Sequence, residues 1–153
     1  MRSAIKFGLL TTLGIAVWVL ADHLWLHFTG PGSKIAFITP IFFNVWQIVA
    51  LSLGIRALRS ENNNVLSVGQ GVKRGLAISL VYAVSGIIFF LLAYLIIGPS
   101  LLEGEAQSFG SDTPANQVLL QAFGGLFFGA IVGGLIYSTI IALILKRRPE
   151  KSS

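Results

Sequence analysis

The chain has 153 residues, of which 54% are hydrophobic and 11% are charged, and its mean hydropathy is +0.80. Soluble domains carry about a quarter charged residues, so this composition excludes an ordinary soluble fold, and several membrane spans would leave no room for a separate soluble catalytic domain. The net charge of +5 would suggest nucleic acid as the partner of a soluble protein, but here the basic residues lie at the ends of apolar runs and indicate an anionic membrane surface instead.

The first two apolar runs predict a pair of membrane-spanning helices. The first covers residues 5–26 and is long enough to cross a bilayer. A signal peptide is the competing interpretation, because Arg2 and Lys6 form a basic start and small residues lie near the end of the run. We expect the segment to be retained as a span. The second run covers residues 35–55 and contains Pro40, where we expect a kink.

The second half of the chain predicts another such pair. Ser67 and Gln70 have the spacing of a capping box, in which each side chain bonds to the other residue's backbone amide at the start of a helix. The third helix should therefore begin there, with its membrane-embedded part at residues 76–97, and Gly98 should end it. The fourth run covers residues 118–145 and must tilt or extend beyond the hydrocarbon.

The distribution of basic residues predicts the orientation of these spans. Ten of the eleven Lys and Arg residues fall on one side of the four-span arrangement, and only Lys34 falls on the other. Basic residues near span ends are retained in the cytoplasm, so both termini, including a short tail at residues 149–153, should be cytoplasmic. The predicted fold is all-α, a bundle of four transmembrane helices that forms one domain over residues 1–148.

Three stretches of the sequence carry a likeness to a known family. They are the entry to the third helix at residues 66–75, its exit at residues 98–103, and the basic end of the fourth helix at residues 136–148. With these features the chain resembles domain-of-unknown-function family 4199, a family of uncharacterised bacterial membrane proteins. The resemblance implies a compact four-helix protein of the bacterial cytoplasmic (inner) membrane, and it implies no catalytic residues.

Small residues recur at four-residue spacing on the third and fourth helices. Such positions share one face of a helix and let a neighbouring backbone approach closely, which matters because lipid gives little hydrophobic drive for helix association. They predict close packing, either within the monomer or against a second copy or another membrane subunit. The positions are Gly71, Gly75 and Ser79, continuing to Ala83, and Gly125, Gly129 and Gly133, with Gly134 and Ser138 beside them.

Two amide side chains lie near the middle of the second span. Asn44 and Gln47 are three residues apart and should face roughly the same direction. Unpaired amides are costly in hydrocarbon, so we expect both to point into the bundle and to bond to other helices. The sharper hypothesis is that they form a polar pocket with Asp22, below the expected kink, for a small solute or a lipid head group.

The outer end of the first span holds ionisable side chains. His23 and His27 are four residues apart, a spacing that some metal sites use, and Asp22 is the only acid within a predicted span. The simpler interpretation is a water-exposed helix end that Trp25 anchors in the membrane interface. Because two histidines are too few for a metal site, we expect neither metal nor cofactor. A pair between Asp22 and Lys34 would clip the first hairpin.

Catalytic groups are scarce in this sequence. Both histidines share one helix end, cysteine is absent, and neither a nucleophile elbow nor a nucleotide-binding loop occurs. We therefore expect no enzyme. The favoured function is a non-enzymatic accessory or structural subunit of a membrane assembly or homo-oligomer. The alternative is a small transporter or channel that uses Asp22 and the amides of the second span.

Overall fold

The expectation of an all-α membrane protein is confirmed by the structure, a computed structural model that describes residues 2–26, 37–98, 101 and 115–146. Within these residues, four helices are long and apolar enough to cross a membrane. Each has a strongly hydrophobic core segment, and each leaves large apolar side chains on the outer surface of the bundle. That pattern is expected where lipid, rather than water, covers the outside of a helical bundle.

The four helices follow one another along the chain. Helix α1 spans Arg2–Ala21 and continues into a π-helical turn at Asp22–Leu26. Helix α2 spans Ile38–Glu61, and α3 spans Val68–Ile97. Helix α4 spans Ala115–Leu145 and is the longest of the four.

Helix α2 differs from its sequence-based prediction at both ends. It continues six residues past Ile55, to Glu61, because a helix keeps its own hydrogen bonds after it leaves the hydrocarbon. It begins at Ile38, so Pro40 lies in its first turn. The first four amides of a helix have no intrahelical partner, so the missing amide of Pro40 removes no hydrogen bond and requires no kink.

The link between α2 and α3 is a tight turn built on asparagines. Asn63 and Asn64 have φ angles of 51° and 62°, in the left-handed region that asparagine tolerates better than most residues. The amide of Asn64 donates to the carbonyl of Arg59 at 3.0 Å, which satisfies one of the last carbonyls of α2. The turn therefore fixes where α2 ends and brings the chain directly to the start of α3.

The capping box predicted at the start of α3 is confirmed. The Gln70 amide donates to Ser67 Oγ at 3.2 Å, and the Ser67 amide donates to Gln70 Oε1 at 3.0 Å. At the other end, Gly98 has a φ of 89° and its amide donates to the Tyr94 carbonyl, which ends the helix as expected. Glycine takes this backbone conformation without steric cost.

Replacing Ser67 with alanine should lower the free energy of unfolding by about 1 kcal/mol, because one exposed amide at the start of α3 loses its acceptor. A thermal melt in mild detergent measures the effect. Ser60→Ala is the matched control, since Ser60 is exposed near the end of α2 and caps no helix. Equal stability of the two variants would contradict a role for the cap.

The helices pack so that each has two main neighbours. The most extensive contact joins α3 and α4, followed by α1 with α3, while α2 packs against both α1 and α4. A smaller contact joins α2 to α3 across the bundle. The two sequence hairpins thus lie side by side, with α3 touching every other helix.

Two hydrophobic clusters form the core, one in each half of the bundle. The first cluster lies towards the basic end of the helices and is closed by the partly buried Phe7, Leu58, Tyr137 and Leu145. The second lies towards the other end, where Trp46 and several phenylalanines pack around it. The buried members are Ala4, Leu51, Ile55, Leu66, Ile78 and Ile141 in the first cluster, and Ile15, Tyr82, Ala83 and Ala130 in the second.

Candidate functional site

Helices α3 and α4 meet along a row of small residues that we call the small-residue seam. A Cβ added to Gly71 would lie 2.5 Å from the Cβ of Ala142, and a Cβ added to Gly75 would overlap the Ser138 side chain. The contacts repeat every four residues, as expected for antiparallel helices that approach closely. The seam consists of Gly71, Gly75, Ser79 and Ala83 on α3, and of Ala130, Gly134, Ser138 and Ala142 on α4, all of them buried.

The longer glycine repeat of α4 lies elsewhere. Gly125 and Gly129 are exposed, and a Cβ added to either would meet no atom of the described residues within 4 Å. Gly133 faces α2 instead, with the Gln47 Oε1 atom 3.6 Å from its Cβ position. In the described part of the chain, α4 thus packs on α3 through the Gly134 and Ser138 stripe, and the open stripe at Gly125 and Gly129 points outwards.

A layer of buried polar groups separates the two core clusters. Gln47 is 7% exposed, and its Nε2 donates to the carbonyl of Ala130 at 3.1 Å, which links α2 to α4. Ser79 lies over Gly134 on the seam, and its hydroxyl is buried without a hydrogen-bond partner among the described residues. The Gln47 amide lies 3.8 Å from the Cβ position of the same glycine. Close approach at Gly134 therefore brings polar groups of three helices together.

Asn44 has a different environment from Gln47, although both bond to α4. Its side chain is exposed at the rim of the bundle. Its Nδ2 donates to the Pro40 carbonyl at 2.8 Å, and its Oδ1 accepts from the Tyr137 hydroxyl at 2.5 Å. The two amides thus form separate links between α2 and α4. They do not line one common pocket with Asp22, which lies in the π-helical turn after the last residue of α1.

Helix α1 is attached to α3 by a contact that the sequence analysis did not single out. The hydroxyls of Thr12 and Ser85 lie 2.6 Å apart, between two parallel helices. One turn away, a Cβ added to Gly8 would lie 2.6 Å from the Cβ of Val81 and 2.9 Å from the Ile78 carbonyl oxygen. The available signal was the presence of hydroxyl side chains within both apolar runs, because such groups form hydrogen bonds between helices in hydrocarbon.

Aromatic side chains attach α1 to α2. The Trp18 and Phe42 rings stack with their centroids 4.2 Å apart, and the Phe42 ring is nearly parallel to that of Trp46 at 6.1 Å. Both indoles also find acceptors, since Trp18 Nε1 donates to Thr39 Oγ1 at 3.1 Å and Trp46 Nε1 donates to the Leu10 carbonyl at 3.3 Å. Buried indole groups need such partners, so the stack fixes the position of both tryptophans.

The ionisable residues at the end of α1 lie in the π-helical turn. Asp22 is only 4% exposed and takes part in a polar interaction, His23 is partly exposed, and Trp25 is largely exposed. His27 and Lys34 lie outside the described residues, so the His pair and the Asp22 to Lys34 clip remain predictions. Among the residues that the structure describes, no group of three or more His, Asp or Glu side chains could hold a metal ion.

A double-mutant cycle should detect the link between Asn44 and Tyr137. We expect Asn44→Ala and Tyr137→Phe each to destabilise the bundle slightly, and the pair to show a coupling energy of about 0.6 kcal/mol, the average for such bonds in membranes. Unfolding titrations in mixed micelles give the four free energies. Fully additive effects would show that the hydrogen bond contributes nothing to stability.

Comparison with known proteins assigns the chain to a family. The family model described as "Protein of unknown function (DUF4199)" matches residues 6–147, from the first turns of α1 to just past the end of α4. No curated protein and no solved structure matches the chain. Because the matched segment includes all four membrane helices, the protein belongs to the DUF4199 family.

Proposed function

We propose that the protein is a non-enzymatic structural or accessory subunit of a membrane assembly, formed with further copies of itself or with other membrane subunits. The observation that carries this proposal is how the polar groups within the spans are used. A transporter or channel needs polar groups that are free to exchange with a passing solute. Here five polar pairs within the spans each link two helices of the bundle, and the buried Ser79 hydroxyl, which has no partner among the described residues, is the exception. These pairs are Thr12 with Ser85, Trp18 with Thr39, Trp46 with the Leu10 carbonyl, Gln47 with the Ala130 carbonyl, and Asn44 with Tyr137.

The supply of reactive groups also supports a non-enzymatic role. Within the described residues there are two carboxylates, Asp22 and Glu61, and one imidazole, His23. Glu61 lies at the opposite end of the bundle from the other two, in an ion pair with Arg74. General acid and base catalysis needs two such groups within reach of one substrate, and the described residues supply one such pair, the adjacent Asp22 and His23.

The open glycine stripe of α4 supports association with another membrane helix. Gly125 and Gly129 leave the backbone of α4 accessible from outside the bundle, and the exposed Phe128 lies between them. Small residues at this spacing are common where membrane helices pair closely. Close packing through small residues, which joins α3 to α4 inside the bundle, would thus join α4 to a helix outside it.

The experiment that tests the subunit proposal measures the mass of the protein, purified in mild detergent, by light scattering. Wild type is expected to be larger than one chain, and Gly129→Leu is expected to reduce that mass while leaving the melting temperature unchanged. Val132→Leu is the control, because Val132 is also exposed, one turn along α4. A wild-type protein that is monomeric and carries no other subunit would refute the proposal.

One observation favours the transporter or channel as a second candidate. Asp22 is a buried carboxylate in a π-helical turn, and such turns occur frequently at functional sites. Proton flux into liposomes loaded with a pH-sensitive dye, under an imposed membrane potential, separates the candidates. The subunit proposal predicts the same flux as in empty liposomes. Flux that depends on the protein and is abolished by Asp22→Asn would favour transport.

We further propose that both termini face the cytoplasm of a bacterium, with the protein in its inner membrane. The basic side chains of the described helices support this orientation, since all of them lie at the end of the bundle where α1 starts. The chain has no cysteine, so single-cysteine labelling is unambiguous. In intact spheroplasts, an impermeant maleimide should label Ser111→Cys and should not label Ser60→Cys. The reverse pattern would overturn the orientation.

A further inference from the structure

One end of the bundle carries a large excess of positive charge. Seven Lys and Arg side chains of the described residues lie there, against a single described carboxylate, Glu61. That carboxylate is already paired, because Arg74 Nη2 lies 3.2 Å from its Oε2, while Arg74 Nη1 also donates to Ser3 Oγ. The seven cations are Arg2, Lys6, Arg56, Arg59, Lys73, Arg74 and Lys146.

Arg59 differs from Arg56, the other arginine of α2, in where it points. It follows Leu51 and Ile55 at four-residue spacing on α2, and both of those side chains are fully buried. Its side chain therefore starts on the inner face of the helix, whereas Arg56, one turn earlier, is exposed to the outside. Arg59 is therefore a cation at the basic end of the bundle, on the face of α2 that points towards the other helices.

The Arg59 Nε is buried and has no hydrogen-bond acceptor among the described residues. A buried donor without a partner costs more than the loss of an ordinary hydrogen bond, because the hydration of that N–H group is lost and nothing replaces it. Within the described residues, the Ser79 hydroxyl is the other buried group without a partner, whereas the buried Gln47 amide and the partly buried Trp46 indole have acceptors. Among the described residues, no anion thus reaches the Arg59 Nε.

A second cation lies at the same depth. Ile55 of α2 and Ala142 of α4 both contact the Cβ position of Gly71, at 3.6 and 2.5 Å, so they lie at one level of the bundle. The chains of α2 and α4 run in the same direction, and Arg59 and Lys146 are each four residues further on. Both therefore reach the level at which the helices leave the hydrocarbon, where lipid phosphates lie.

We propose that Arg59 binds the phosphate of an anionic phospholipid, with Lys146 adding positive charge at the same level. The planar guanidinium matches the oxygens of a phosphate, and its Nε would then have the acceptor that it lacks. The lipid is anionic because the unpaired cations of this end attract net negative charge. A lipid, rather than free phosphate, supplies this anion, because Arg59 lies where the ends of the membrane helices meet the lipid head groups.

The test compares retention of phosphatidylglycerol and phosphatidylcholine, supplied in equal amounts to the purified protein, by native mass spectrometry. Wild type is expected to retain the anionic lipid preferentially. Arg59→Gln is expected to lower that preference about tenfold, the effect of losing one charge-assisted hydrogen bond. Arg56→Gln removes the same charge from an exposed position of the same helix and is expected to lower it at most about threefold.

A second pair of variants keeps the charge and the fold. Arg59→Lys removes only the guanidinium geometry and should still lower the preference at least about threefold, whereas Arg56→Lys should leave it unchanged. Equal effects at the two positions, or a wild type without preference, would overturn the proposal. The protein in phosphatidylcholine nanodiscs is also tested for binding of inorganic phosphate. If this binding depended on Arg59 in the same way and the protein showed no preference for the anionic lipid, free phosphate rather than a lipid would be the ligand.

Discussion

Gly75→Val is expected to lower the free energy of unfolding by about 2–3 kcal/mol, because the new side chain would occupy the space of Ser138 on the facing helix. The Ser138 Cα lies only 3.5 Å from the Cβ position of Gly75, so a new rotamer cannot relieve the overlap completely. Helices α3 and α4 would have to separate, and the packing along the seam would weaken. Titration with a denaturing detergent measures the loss.

Two further variants show whether the close approach itself is responsible. Gly129→Val makes the same chemical change on α4 in open space, and we expect its stability to stay within about 0.5 kcal/mol of wild type. Ser138→Gly, combined with Gly75→Val, removes the atoms that collide and should restore part of the lost stability. If Gly75→Val and Gly129→Val were equally stable, the seam would not hold α3 and α4 together.

Leu51→Ala is expected to destabilise the bundle by about 1–3 kcal/mol. Leu51 is fully buried in the core cluster at the basic end, to which all four helices contribute, and truncation would leave a cavity there. Lipid tails are as apolar as leucine, so the cost comes from lost packing rather than from transfer out of water. Thermal unfolding in mild detergent provides the measurement.

Leu53→Ala is the matched control for this prediction. Leu53 lies two residues along the same helix and is 42% exposed on the outer surface, where lipid or detergent can fill the space that truncation leaves. We expect a change within about 0.5 kcal/mol of wild type. A Leu53→Ala variant as unstable as Leu51→Ala would mean that this face of α2 is also packed against protein, as in an oligomer.

Much of the candidate site was predictable from the four-residue spacing of small residues. The errors arose because this spacing alone does not show which side of a helix faces its neighbour. The seam residues Gly71, Gly75 and Ser79 were visible as a four-residue repeat on α3. On α4, Gly133 and Gly134 belong to neighbouring stripes with the same repeat, separated by about 100° of rotation. The sequence contains both stripes, and only the packing of α4 against α3 selects one of them.

The same limit explains the two amides of α2. Asn44 and Gln47 are three residues apart and differ by about 60° around the helix axis. At the boundary between protein and lipid that difference places Gln47 in the interior and Asn44 at the rim. Their partners, Tyr137 and the Ala130 carbonyl, lie more than 80 residues away, and no local pattern indicates such contacts.

The sequence by itself determined the class of the fold, the number of spans and the local ends of α3. Hydropathy decides how many segments enter a bilayer, and the Ser67 capping box and Gly98 act through neighbouring backbone groups, so these features need no knowledge of distant residues. Only the tertiary structure decided which small residues form the seam and which polar groups pair across helices. It also set Arg59 apart from Arg56, because the burial of each side chain depends on what other helices bring to its position.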